Sequence, residues 1–106
     1  MAKYLIEVAY TSEGAKGLLK DGGSKRRQAA EQAIKSGGGK LEAFYFAFGS
    51  RDAFVVVDAP DHASIVATSL AINASGAVRT RTTVLLTPEE LDQASKKGVR
   101  YTPPGQ

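Results

Sequence analysis

Lys40-Leu41-Glu42-Ala43-Phe44-Tyr45-Phe46-Ala47-Phe48, then Gly49-Ser50-Arg51-Asp52, then Ala53-Phe54-Val55-Val56-Val57-Asp58, is the stretch whose reading decides the fold. Two β-favouring runs flank four turn-forming residues, the pattern of a hairpin with a short loop. With Gly49 to Asp52 as the loop, Phe48 falls opposite Ala53, Phe46 opposite Val55 and Phe44 opposite Val57 on one face. Ala43, Tyr45 and Ala47 then stand opposite Asp58, Val56 and Phe54 on the other. A sheet with one face in water alternates apolar and polar residues. Both faces of this hairpin are mostly apolar, so each requires a cover.

Working outward, Lys3 to Tyr10 alternates as a strand, with Tyr4, Ile6, Val8 and Tyr10 on one side and Lys3, Leu5, Glu7 and Ala9 on the other. Thr11 reads as an N-cap, with Glu13 in the first turn and an apolar face of Ala15, Leu18 and Leu19. Gly22-Gly23 interrupts that helix, Ser24 is placed to cap its continuation, and Gly37-Gly38-Gly39 ends it. After the hairpin, Pro60-Asp61 opens a second helix that stops at Gly76, and Ala77 to Leu86 is the last strand. Thr87-Pro88-Glu89-Glu90 combines a Thr cap, a Pro at the first helical position and a Glu that closes a capping box. A short helix follows, then a Tyr101-Thr102-Pro103-Pro104 tail that cannot be helical.

The expected class is therefore α+β: a ferredoxin-like βαββαβ domain with a four-stranded antiparallel sheet, both long helices on one face and an extra short C-terminal helix. The 106 residues suffice for one domain with a core of its own, expected over 1–98, with 99–106 an extended tail. The uncovered face would carry Leu5, Glu7, Ala9, Ala43, Tyr45, Ala47, Phe54, Val56, Arg79 and Arg81. Its apolar middle makes it a self-association surface, so a homodimer or a higher even-numbered assembly is expected.

Several function classes fall away on composition. Without Cys there is no thiol catalysis and no cysteine-ligated metal. Glu7 interrupts what would be the apolar part of a signal peptide, and no apolar run approaches the ~20 residues of a membrane span, so a cytoplasmic protein with no membrane partner is expected. A net charge of +3 argues only weakly for nucleic acid.

These residues together carry a resemblance. Tyr4-Leu5-Ile6, Thr11 to Gly14, Gly38 to Leu41, Phe44-Tyr45, Gly49-x-x-Asp52, Pro60-Asp61, Gly76-Ala77-Val78-Arg79 and Thr82 resemble the GYD domain family over nearly the whole chain up to Glu90. The resemblance implies the dimeric α/β-barrel superfamily, with two copies joined through their open sheets. That superfamily includes cofactor-free monooxygenases, isomerases and stress-response proteins, and no cofactor is expected. In the family's namesake turn this chain has Arg51 where Tyr is expected, so a role for that ring is not carried over.

The candidate pocket residues are Glu7, Tyr45, Phe54, Arg79 and Arg81, in a pocket within the dimer or between sheet and helices. Glu7 between Arg79 and Arg81 suits an anionic or carbonyl ligand; cross-strand ion pairing is the plainer role. Asp52, in the turn with Gly49 and Arg51, suits an acid or base at a pocket mouth, although an Asp in a turn usually bonds its own backbone. His62 has no second His beside it, and no metal site is expected. Lys25-Arg26-Arg27 reads as a solvated helix face. Gly37-Gly38-Gly39-Lys40 lacks the residues of a phosphate loop and runs from helix to strand, the reverse of the required order.

Three readings follow: a homo-oligomeric barrel that binds or transforms a small molecule, an assembly barrel with no open pocket, and an RNA-binding module. The last is disfavoured because Ala53, Val55 and Asp58 hold positions where base-stacking aromatics belong.

Overall fold

The computed structural model describes residues 1–106. Its elements run β1 (Ala2–Tyr10), α1 (Ser12–Asp21), α2 (Gly23–Ser36), β2 (Lys40–Phe46), β3 (Ala53–Ala59), α3 (His62–Ala74), β4 (Val78–Leu85) and α4 (Pro88–Ser95). The four strands form one antiparallel sheet in the order β2-β3-β1-β4. Two helices, α1 and α2, occupy the first crossover because Gly22, at φ +81°, takes a backbone conformation that side chains resist.

Alternation sorts the strands as their sequences require. Tyr4, Ile6, Val55, Val57, Leu41 and Ala59 are buried on one side and pack with Ile34 of α2 and Ile65 of α3. Tyr4 and Val57 are the largest side chains wholly removed from solvent, and a Val so placed contributes about 1.5–3 kcal/mol.

Three caps behave as their residue types dictate. Thr11 and Asp61 accept from the N–H groups of Gly14 and Ser64, and Thr87 with Glu90 makes a complete capping box. Ser24 does not act as a cap: α2 starts one residue earlier, with Gly22 at the cap position and no side-chain bond there.

The hairpin register differs from the sequence expectation by two residues. Phe46, not Phe48, pairs with Ala53; Phe44 pairs with Val55 and Tyr45 with Phe54. The Ala47 N–H donates to the Asp52 carbonyl and the Asp52 N–H donates to the Val8 carbonyl, so the chain from Ala47 to Asp52 is loop. Phe48 therefore stands in solvent rather than under the helices. A bulge at Glu42 realigns the far end of β2, so that Leu41 still faces the core opposite Val57.

Beyond β4 the chain leaves the body of the domain. Every residue from Pro88 to Gln106 is exposed, including Leu91, Val99 and Tyr101. The radius of gyration is 16.9 Å, against ~13 Å for a compact domain of about a hundred residues.

Candidate functional site

Two places gather chemistry, one on each side of the sheet. On the uncovered side, the register sets Tyr45, Phe54, Glu7 and Arg81 in one row across β2, β3, β1 and β4. Arg79 stands one step along, opposite Ala9. The adjacent row is Ala43, Val56, Leu5 and Thr83, so an apolar centre is bounded by a charged corner. The structure thus brings all five candidate residues onto one face. None of its ion pairs involves Glu7, Arg79 or Arg81. At the opposite end of this face Lys3 reaches Glu42 at 2.6 Å and Asp58 at 3.0 Å. Those two carboxylates raise the ammonium pKa above its ordinary value, through Glu42 first.

The turn residues are placed by backbone work. The Tyr10 N–H donates to Asp52 Oδ2 at 2.8 Å, so this carboxylate fastens the end of β1 to the hairpin loop. Gly49 lies at the exposed tip, and Arg51 is half-buried without an ion pair. Ala53 and Val55 are buried on the helix side, where no base could reach them.

Beneath the helices lies a cavity of about 110 Å³. Its cause is legible in α2, which lines it with Ala29, Ala30 and Ala33 where larger side chains would have filled the space. Ile6, Val8, Val55, Phe44 and Val78 form the floor, and Ile34 and Ile72 contribute from α2 and α3. Only three polar residues line it: Tyr10, Arg26 and Thr80. Thr80 is already committed, since its hydroxyl accepts from Asn73 Nδ2 at 2.8 Å and its N–H donates to Asn73 Oδ1 at 3.1 Å. Burial pushes the Tyr10 phenol up from its usual pKa, with the Arg26 guanidinium pulling partly the other way. At neutral pH the phenol is therefore a neutral hydrogen-bond donor. Arg26 also contacts Asp21 at 3.6 Å, which tethers its side chain across the α1–α2 junction.

Sequence reasoning missed Tyr10 and Arg26 as site residues. Arg26 was hidden in a cationic cluster, yet the signal existed: Arg26, Ala29, Ala30 and Ala33 are spaced i, i+3, i+4 and i+7, one face of a helix. His62 has a structural task, its Nδ1 lying 2.6 Å from the hydroxyl of Tyr4 with the rings edge to face. That bond satisfies the phenol of a residue only 1% exposed. No group of three or more His, Cys, Asp or Glu side chains is arranged to hold a metal ion, and no helix is long and apolar enough to cross a membrane.

Fold and site together define a ferredoxin-like α+β domain with an uncovered apolar sheet face and a small apolar cavity under its helices. Residues 4–95 match the GYD domain, and the chain belongs to that family. Among solved structures it is similar to the leucine response regulatory protein of Mycobacterium tuberculosis, at 16% identity and a TM-score of 0.54. That similarity covers 81% of this chain and 51% of the other, so the chain spans about half the length of the protein it matches, and the likeness is one of fold. No curated protein matches the chain in sequence.

Proposed function

We propose that two copies of this chain pair through their open sheet faces into a dimeric α/β barrel, and that each subunit holds a small molecule in the cavity under α2. One observation carries the reading: the sheet is apolar on both sides and has helices on only one. Leu5, Val56, Ala43 and Phe54 form a patch that a second sheet would cover, and Tyr45, 71% exposed on the same face, is a large side chain that pairing would bury. The C-terminal segment supports the same assembly. Leu91, Val99 and Tyr101 find nothing to cover them on their own domain, and a neighbouring subunit supplies a surface. The cavity, which leaves room beneath the helices, supports ligand capture as part of that reading.

Light scattering at micromolar concentration is expected to give a dimer or a higher even-numbered assembly. Val56→Lys, which puts a charge in the middle of the patch, should give a folded monomer, and removal of residues 99–106 should weaken association. A wild-type chain that is monomeric at every concentration would refute the assembly. So would a monomer that binds single-stranded RNA through Tyr45, Phe54, Arg79 and Arg81.

A further inference from the structure

We infer that the cavity beneath α2 takes a small monocarboxylate with an aromatic or branched aliphatic tail, the tail filling the alanine-roofed space and Arg26 with the Tyr10 hydroxyl holding the carboxylate at its mouth. The inference rests on the small-molecule reading above and specifies its ligand.

Size limits the tail. An apolar cavity of ~150 Å³ admits benzene and stays free of water. At about 110 Å³ this one accommodates at most a single ring or a branched chain of similar bulk, with any polar group projecting toward the opening. Linear fatty acids and fused rings are too large.

Chemistry limits the other end. The polar groups among the lining residues are the Arg26 guanidinium, which Asp21 approaches at 3.6 Å, a Tyr10 phenol that is neutral at physiological pH, and the Thr80 hydroxyl, whose oxygen already accepts from Asn73. All three can donate a hydrogen bond, and no carboxylate lines the space. The ligand must therefore end in an acceptor, and an anionic acceptor gains most from Arg26 because a charge-assisted bond is about twice as strong as a neutral one. Arg26 lies in the second turn of a helix whose first N–H groups have no side-chain cap, so the positive end of the helix dipole acts in the same direction. An α-amino acid fits poorly, because its ammonium group would find no carboxylate in the lining.

Calorimetric titration with benzoate and with isovalerate tests this, with benzyl alcohol, leucine and benzene as comparison ligands. Benzoate is expected to bind at least about tenfold more tightly than benzyl alcohol, to weaken about tenfold or more in Arg26→Met, and to lose measurable binding in Ala33→Leu. Ala30→Leu provides a second filled cavity should Ala33→Leu fold poorly by circular dichroism. Equal affinity for benzoate and benzyl alcohol, binding of leucine as tight as that of benzoate, or undiminished benzoate binding in both filled variants would each overturn the inference. If benzene binds and neither carboxylate does, the ligand class is wrong and the small-molecule reading stands. If nothing enters the cavity, both fall.

Discussion

Gly14 and Gly17 lie one turn apart on α1, and the same substitution at each should move stability in opposite directions. A Cβ on Gly14 would sit 1.9 Å from the Ala77 carbonyl oxygen and 2.9 Å from Cδ1 of Tyr10. That oxygen cannot simply move aside, since it accepts from the Thr11 N–H at 3.0 Å and the Thr11 hydroxyl at 3.1 Å. Overpacking a tight site costs about 1–3 kcal/mol. Displacing the carbonyl forfeits up to two hydrogen bonds at about 1 kcal/mol each, so Gly14→Ala should lose about 3 kcal/mol. For a domain of this size that lowers the thermal midpoint by at least ~12 °C. Gly17 has nothing within 4 Å of a built Cβ, and Gly17→Ala should gain up to about 1 kcal/mol from helix propensity alone. Differential scanning calorimetry of both variants under identical conditions reads the sign and size of each shift. Gly14→Ala with a wild-type midpoint would show that the α1–β4 junction is not packed as described. Because the Tyr10 ring lies against the same position, Gly14→Ala should also weaken any ligand held at the cavity mouth.

Two further outcomes follow from single bonds. Asp52→Ala leaves the Tyr10 N–H without its acceptor and should cost about 1–3 kcal/mol in urea denaturation, whereas Asp52→Asn retains an acceptor oxygen and should cost less; an unchanged Asp52→Ala would remove the turn's structural role. The carboxyls of Asp61 and Glu90 are held below the usual carboxylate range, first by backbone N–H bonds from Ser64 and Thr87. Their folded pKa values are depressed, so the stability they add is present above the unfolded value of about 4 and is lost as pH falls through the folded values. The thermal midpoint should therefore drop on acidification below about pH 4, and a doubly substituted Asp61→Asn, Glu90→Gln chain should drop less. Equal acid slopes for the two proteins would count against both caps.

The sequence makes the sheet faces legible and the hairpin register only approximately so. Alternation fixes which side Tyr45, Phe54, Glu7 and Arg81 occupy, and a slip of two residues leaves every side chain on its own face, although it sets Tyr45 opposite Phe54 rather than Val56. The slip itself came from Ala47 and Phe48, which extend the apolar run of β2 with no turn-forming residue before Gly49. Bonds from Ala47 to Asp52 and from Tyr10 to the Asp52 side chain draw them into the loop instead. The bonds that tie Asp52 to Val8 and Tyr10 join segments far apart in sequence, which local propensity does not contain. The cavity was hidden for a different reason. It is space that Ala29, Ala30 and Ala33 fail to fill, and nothing in a run of small residues tells whether a helix sits close enough to close such a gap.

The residues that carry the family resemblance turn out to be mostly builders. Thr11 to Gly14 interlocks with Gly76 and Ala77 through the Thr11 hydroxyl and the absent Gly14 side chain. Gly38, at φ +87°, turns the chain from α2 into β2, Asp52 anchors the hairpin, and Asp61 caps α3. Of the cavity lining, this pattern includes Ile6, Phe44 and Val78, part of the floor, and none of Tyr10, Arg26 or the three alanines. The floor is thus a property of the fold, while roof and polar rim belong to α2 and the end of β1. A relative with bulky residues in place of the alanines would keep every landmark and have no room for a ligand, and one without the Arg26 cation would keep the room and lose the anion. Membership of the family therefore fixes the frame on which a site can be built, and the choice of any ligand falls to the α2 face that the pattern leaves free.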